Sequence, residues 1–209
     1  MLIILSSALA MAITGPAQAN NSKADVFTFD NPDGTPAAGN VVGEATLKRS
    51  KEGVNVTIHT TELGPGNAYT IWWIIFNNPD ACVASCAGSD LGNPAVEGSV
   101  MNATGRVADS DGNARFSAFL PVGFMHTNPS SGNLRQLLGP GLQNVKGAEI
   151  HIVVRCHGLA TGSDPSDNPV EQISTLLGDC NAVLGQDGGM DILGCFDAQA
   201  AVFPRPRSK

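Results

Sequence analysis

Both tryptophans and the only tyrosine of this 209-residue chain fall within five residues, in the stretch Gly64-Pro-Gly-Asn-Ala-Tyr-Thr-Ile-Trp-Trp-Ile-Ile-Phe-Asn-Asn-Pro-Asp-Ala-Cys82. Its centre, 69–76, is built of β-branched and aromatic residues, opened by a Pro-Gly turn and closed by Asn-Asn-Pro, which predicts one strand. Alternation puts Tyr69, Ile71, Trp73 and Ile75 on one face and Thr70, Trp72, Ile74 and Phe76 on the other. Both faces are apolar. Such a strand belongs in the middle of a sheet, with core on both sides, or core on one and a long loop or a partner on the other. Tyr69, Trp72 and Trp73 are therefore the residues to watch for a ligand or partner face.

The other strands follow from alternation and turn residues. Segments 41–48 and 53–61 alternate across a Ser50-Lys-Glu-Gly53 turn, with Val54, Val56 and Ile58 inward and Asn55, Thr57 and His59 outward to solvent. Segments 99–108 and 114–120 read as a hairpin about Asp109-Ser-Asp-Gly-Asn113. That pentapeptide lacks the full calcium-loop pattern, because Leu120 stands where the closing glutamate belongs. Segment 147–155 places Ala148, Ile150, Ile152 and Val154 on one face, and Glu149, His151, Val153 and Arg155 in a pairable row on the other. Segment 197–203 closes the set. Residues 20–40 are turn-rich, with only 25–29 able to make a short edge strand, and 134–138 reads as a helical turn.

With 24 glycines, 13 prolines and only 15% charged residues, the composition favours turns and sheet over a helical bundle. The expectation is an all-β Greek-key β-sandwich of seven to eight strands with long, disulfide-stapled loops, forming one domain over 41–203. A formal net charge of −7 with 12 Lys and Arg argues against nucleic acid as a partner and leaves an unknown ligand or protein partner. Arg205, Arg207 and Lys209 give 204–209 the character of a solvated basic tail.

Residues 2–13 are uncharged and apolar, followed by Gly15-Pro16 and Ala17-Gln-Ala19, a pattern that predicts a secretory signal over 1–19 cut after Ala19. No run is long enough for a membrane span. The mature chain, with 20–40 as an N-terminal extension, is then secreted or periplasmic, where disulfides persist. Cys82 and Cys86 share one short loop, Cys180 and Cys195 bracket a glycine-rich segment, and Cys156 remains as a buried thiol.

Two functional classes compete. A metal site, copper or zinc, would use His151, Cys156 and His157, with His59 or His126 as additional ligands. It requires the chain to reverse at Gly158, because six strand residues separate the two imidazoles by roughly 20 Å, and Cys156 and His157 point apart. No Gly-x-Ser-x-Gly elbow marks a nucleophile and no pair of acids stands out. A non-enzymatic binding or structural role, with no cofactor, is the leading expectation.

The succession Gly43-Glu-Ala-Thr-Leu47, Thr61-Glu-Leu63 and Gly64-Pro-Gly-Asn-Ala-Tyr-Thr-Ile71 resembles the opening of chordin-type domains and, more distantly, of copper/zinc superoxide dismutases. The likeness covers about residues 41–76 and implies a Greek-key sandwich around a central strand. Where the dismutase strand presents metal histidines, this chain has Ile71, Trp72, Trp73 and Ile74, so the resemblance does not carry the activity. The whole chain also resembles a group of exported bacterial β-sandwich proteins that share the Trp-rich strand and a Glu-Ile-His-hydrophobic strand.

Overall fold

The computed structural model describes residues 20–29, 39–125, 136–160, 172–173, 183–184, 190–191 and 195–206. Its strands are β1 (Asn20–Thr28), β2 (Val41–Arg49), β3 (Gly53–Thr60), β4 (Asn67–Phe76), β5 (Gly98–Val107), β6 (Ala114–Pro121), β7 (Gln136–Leu138), β8 (Glu149–Leu159), β9 (Val183–Leu184), β10 (Met190–Asp191) and β11 (Phe196–Phe203). Two short 3-10 turns, Pro79–Ala81 and Gly88–Gly92, accompany the strands, and no helix among the described residues is long and apolar enough to cross a membrane.

Eight strands form an antiparallel, nearly closed sandwich in the order β6-β3-β2-β1-β11-β8-β4-β5, with β7 continuing beyond β5 and β9 pairing with β10. The connections from β3 to β4 and from β6 to β8 pass between the two four-stranded halves, which is the Greek-key pattern expected. The halves are joined where β1 meets β11, through two paired positions, Phe27 with Ala200 and Thr28 with Gln199, and one further bond from the Phe29 amide to the Ala198 carbonyl.

The core fills the space between the halves. Val54, Val56 and Ile58 meet Tyr69, Ile71, Trp73 and Ile75, together with Ile150, Ile152, Val154 and Phe203. Each of these is 4% exposed or less, and burying each aliphatic or aromatic side chain contributes about 1.5–3 kcal/mol. A smaller cluster lies outside the sheet, where Phe76, Cys86 and Val96 pack with Ile74, Ala81, Cys82 and Leu91 under the 77–97 excursion. The expected Cys82–Cys86 disulfide staples that excursion, with α-carbons 5.2 Å apart. Asn77 docks it. Its amide group donates to the carbonyls of Glu97 and Gly141, and its side-chain oxygen accepts from the amides of Gln143 and Asn144.

Four expectations change. β1 runs nine residues and lies inside the sheet between β2 and β11, not as a short edge strand over 25–29. Its polar outward residues hide it from a hydrophobicity count, while Val26 is fully buried inside. β5 and β6 are consecutive but share no ladder: β5 pairs with β4 and β6 with β3, so the Asp109 loop crosses between halves rather than closing a hairpin. The 136–138 portion of the expected helical turn is extended, as β7 against β5. Finally, β8 continues through Cys156-His-Gly158 to Leu159 instead of turning away. Gly158, at φ 82°, absorbs an extra residue where the ladder to β4 shifts register, so the chain bulges and goes on.

Candidate functional site

β4 and β8 lie side by side at the centre of one half, with Ile74 opposite His151 and Tyr69 opposite Cys156. Their inward residues belong to the core. Their outward residues form a second layer, covered in part by the 77–97 excursion and by residues 172–173. That cover is tight at Gly105 of β5, where an added Cβ would sit 2.1 Å from the Ile173 carbonyl oxygen.

Within this outer layer Thr70, Trp72 and His157 are buried to 1% exposure or less. Trp72 donates its indole N–H to the Thr70 hydroxyl at 2.9 Å. The hydroxyl lies 2.8 Å from His157 Nε2, and His157 Nδ1 lies 3.4 Å from the Cys195 sulfur. Cys195 is disulfide-bonded, so its sulfur can only accept and Nδ1 carries the donated proton. Thr70, already accepting from Trp72, then donates to Nε2. The chain of bonds therefore runs in one direction, from indole to hydroxyl to imidazole to sulfur, and uses both nitrogens of His157. Beside it, Gln172 is buried and donates to the Leu159 carbonyl at 3.1 Å.

Toward the start of β8, His151 Nε2 donates to Glu149 Oε1 at 2.7 Å, and its ring meets Phe76 edge-on at 5.0 Å. Arg155 does not join this pair. It bonds Asp197 of β11 at 2.7 Å and also reaches the Cys195 carbonyl.

Cys156 faces the other way. Its sulfur accepts from the Gly158 amide at 3.4 Å and from the Asn67 side chain at 3.9 Å, beside Tyr69, whose hydroxyl accepts from the Gly64 amide at 2.8 Å. Burial pushes the thiol above its ordinary range, and burial, with the neighbouring thiol adding to it, does the same to the Tyr69 phenol. A thiol so placed is a weak nucleophile.

The residues singled out from the sequence are thus distributed as follows. His151 and His157 both point outward but stand six positions apart along one continuous strand, and Cys156 lies on the opposite face. His59 is exposed on β3, across from Glu44 on β2 and Arg115 on β6. His126 and Cys180 lie outside the described residues. Among the described residues no three His, Cys, Asp or Glu side chains converge as a metal-binding group. Trp72 and Trp73 are 1% exposed and Tyr69 2%, so both faces of β4 are covered. Sequence reading missed Thr70 and Gln172, and a polar residue in an otherwise apolar strand is the signal that could have marked Thr70. The calcium-loop candidate is explained by its own geometry. Asp109 Oδ1 accepts from the amides of Asp111 and Asn113, and these bonds hold its carboxyl below the ordinary range.

No family model matches the chain, a chordin-type one included. No curated protein matches it. Among solved structures it is similar to the Cu/Zn superoxide dismutase from Brucella abortus, at 12% identity and a TM-score of 0.36, over 87% of this chain and 98% of that one. It is also similar to a SOD-like protein from Bacillus subtilis, at 13% identity and a TM-score of 0.33, over 86% of this chain and 96% of that one.

Proposed function

We propose that the chain is an exported, non-enzymatic β-sandwich with a binding or structural role at the cell surface or in the periplasm. The observation that carries this reading is the disposition of its reactive side chains. The buried imidazole of His157 spends both nitrogens inside the outer layer, His151 is tied to Glu149, and the Cys156 thiol faces the apolar core. These groups brace the fold and, among the described residues, none of them is a nucleophile set beside a base. Export is supported by the disulfides, which persist in oxidising compartments.

The competing reading is a copper-type carrier or redox protein built on His151, His157 and Cys156. Elemental analysis of the purified mature chain separates the two. The binding reading expects no stoichiometric transition metal and no change in metal content on His151→Ala or His157→Ala. A one-to-one metal lost in those variants would replace it with the carrier. Export is tested by the N-terminus of the protein recovered outside the cytoplasm, which should be Asn20.

A further inference from the structure

Among the described residues, no ladder closes the gap between β5 and β6 at the two ends of the eight-stranded order. At one end of it lies an open groove of about 420 Å³, lined by His59, Thr60, Thr61, Arg106, Arg115 and Asn113 among others. Its size falls within the range of small-ligand sites.

The charges around it are unbalanced in a specific way. Five arginines lie among the described residues. Arg49 donates to the Val145 carbonyl, Arg155 binds Asp197 and Arg205 binds Asp80. The remaining two, Arg106 and Arg115, form no hydrogen bond or ion pair within the described structure, and both line this groove. His59, next to Arg115 across the β3–β6 ladder, is likewise without a partner. Arg106 sits opposite the core residue Tyr69, yet it is exposed, and the open seam is where its side chain reaches solvent.

Asp109, which also lines the groove, directs its oxygens to the amides of Asp111 and Asn113 and to the Asn113 side chain, and it forms no ion pair with either guanidinium. Glu44, across from His59, is engaged by Lys23. A protein of net charge −7 thus keeps two free guanidinium forks at one concavity. Guanidinium pairs with carboxylate or phosphate oxygens through two parallel N–H bonds.

We infer that the groove between β5 and β6 binds a small oxyanion, a carboxylate or phosphate group, between Arg106 and Arg115, with His59 at its rim. This goes beyond the binding role proposed above and does not depend on it, because a metal-loaded chain would keep the same groove.

The test is titration of the mature chain with inorganic phosphate and, separately, with succinate, followed by backbone amide NMR shifts. Saturable one-to-one shifts centred on His59, Thr60, Arg106 and Asn113 are expected with at least one of the two, and the tighter arm identifies phosphate or carboxylate as the recognised group. Arg106→Gln and Arg115→Gln should each weaken binding by about tenfold, the effect of losing one charge-assisted contact. Both side chains are exposed, so unchanged circular dichroism will show that the variants fold. Lys48→Gln and Lys146→Gln remove exposed charge elsewhere and should leave binding as it was. The inference is overturned if neither anion gives saturable shifts up to tens of millimolar. It is equally overturned if the lysine variants weaken binding as much as the arginine variants do, which would mean diffuse attraction and no site.

Discussion

The two faces of β4 and β8 are both buried, but they are held by different physics. Inward, Ile71, Trp73 and Ile75 meet Ile150, Ile152 and Val154 in a continuous apolar core. Outward, the same strands present Thr70, Trp72, Glu149, His151, Arg155 and His157, held by directional bonds from Trp72 to Thr70, Thr70 to His157, His151 to Glu149 and Arg155 to Asp197. Apolar contact is non-directional, so the inner face answers to volume. Matched hydrogen bonds answer to geometry, and there an orphaned partner costs more than the bond contributes. The outer layer needs this specificity because loops, rather than strands, cover it.

The sharpest way to break this contrast is to truncate on the inner face. Trp73→Ala should destabilise the domain by about 3–5 kcal/mol, the range for a large aromatic removed from a core, measured by urea unfolding. On the outer face Thr70→Val, nearly the same in shape, should still cost about 2–3 kcal/mol, because it strands the Trp72 indole N–H and His157 Nε2 together. Trp72→Phe, which removes a donor along with its need for an acceptor, should cost about 1 kcal/mol. If Thr70→Val were neutral, the outer layer would be held by area after all.

Opening the Cys82–Cys86 loop by a double Cys→Ala change should cost about 2 kcal/mol on a chain-entropy account, the closed loop being short. Hydrogen exchange should then rise in 77–97 while the amides of β4 stay protected. A smaller effect should appear with pH. The Cys156 thiol and Tyr69 phenol are both pushed upward in the fold, so above the ordinary thiol value of 9.0 the unfolded chain releases protons that the folded chain retains. Stability should therefore be level below that pH and fall as it rises beyond. Cys156→Ala should remove the first part of that fall and Tyr69→Phe the later part, read from urea midpoints across the alkaline range. A decline that survives both substitutions would assign the alkaline sensitivity elsewhere.

How much of this was legible in the sequence depends on the range of the contact. β4 could be read because every residue from Tyr69 to Phe76 fits a doubly covered strand, and the inward row of β8 could be read from Ile150, Ile152 and Val154. The end of β8 could not, because a Cys-His-Gly run signals a turn unless a neighbouring strand holds it, and here β4 does. β1 was hidden since only Val26 and Ala24 speak for its buried side. The hairpin expected of β5 and β6 failed for a related reason: local turn residues announce a change of direction and say nothing about which ladder follows. Of the candidate site, the histidines and cysteines were named but their grouping was not. Thr70 meets His157 across 87 positions of sequence, and the two unpaired arginines become conspicuous only when every other described arginine has been given its partner.

The junction of β1 with β11 also sets a timetable. The first strand of the sheet and the last are neighbours, and through them the halves join at only a few bonds. Until Phe196–Phe203 has been made and delivered, β1 has one edge open and β8 lacks its second partner. Contacts between the far ends of a chain are slow to form and leave strand edges exposed meanwhile. The sheet of a nascent copy therefore cannot be completed before its last strand is made.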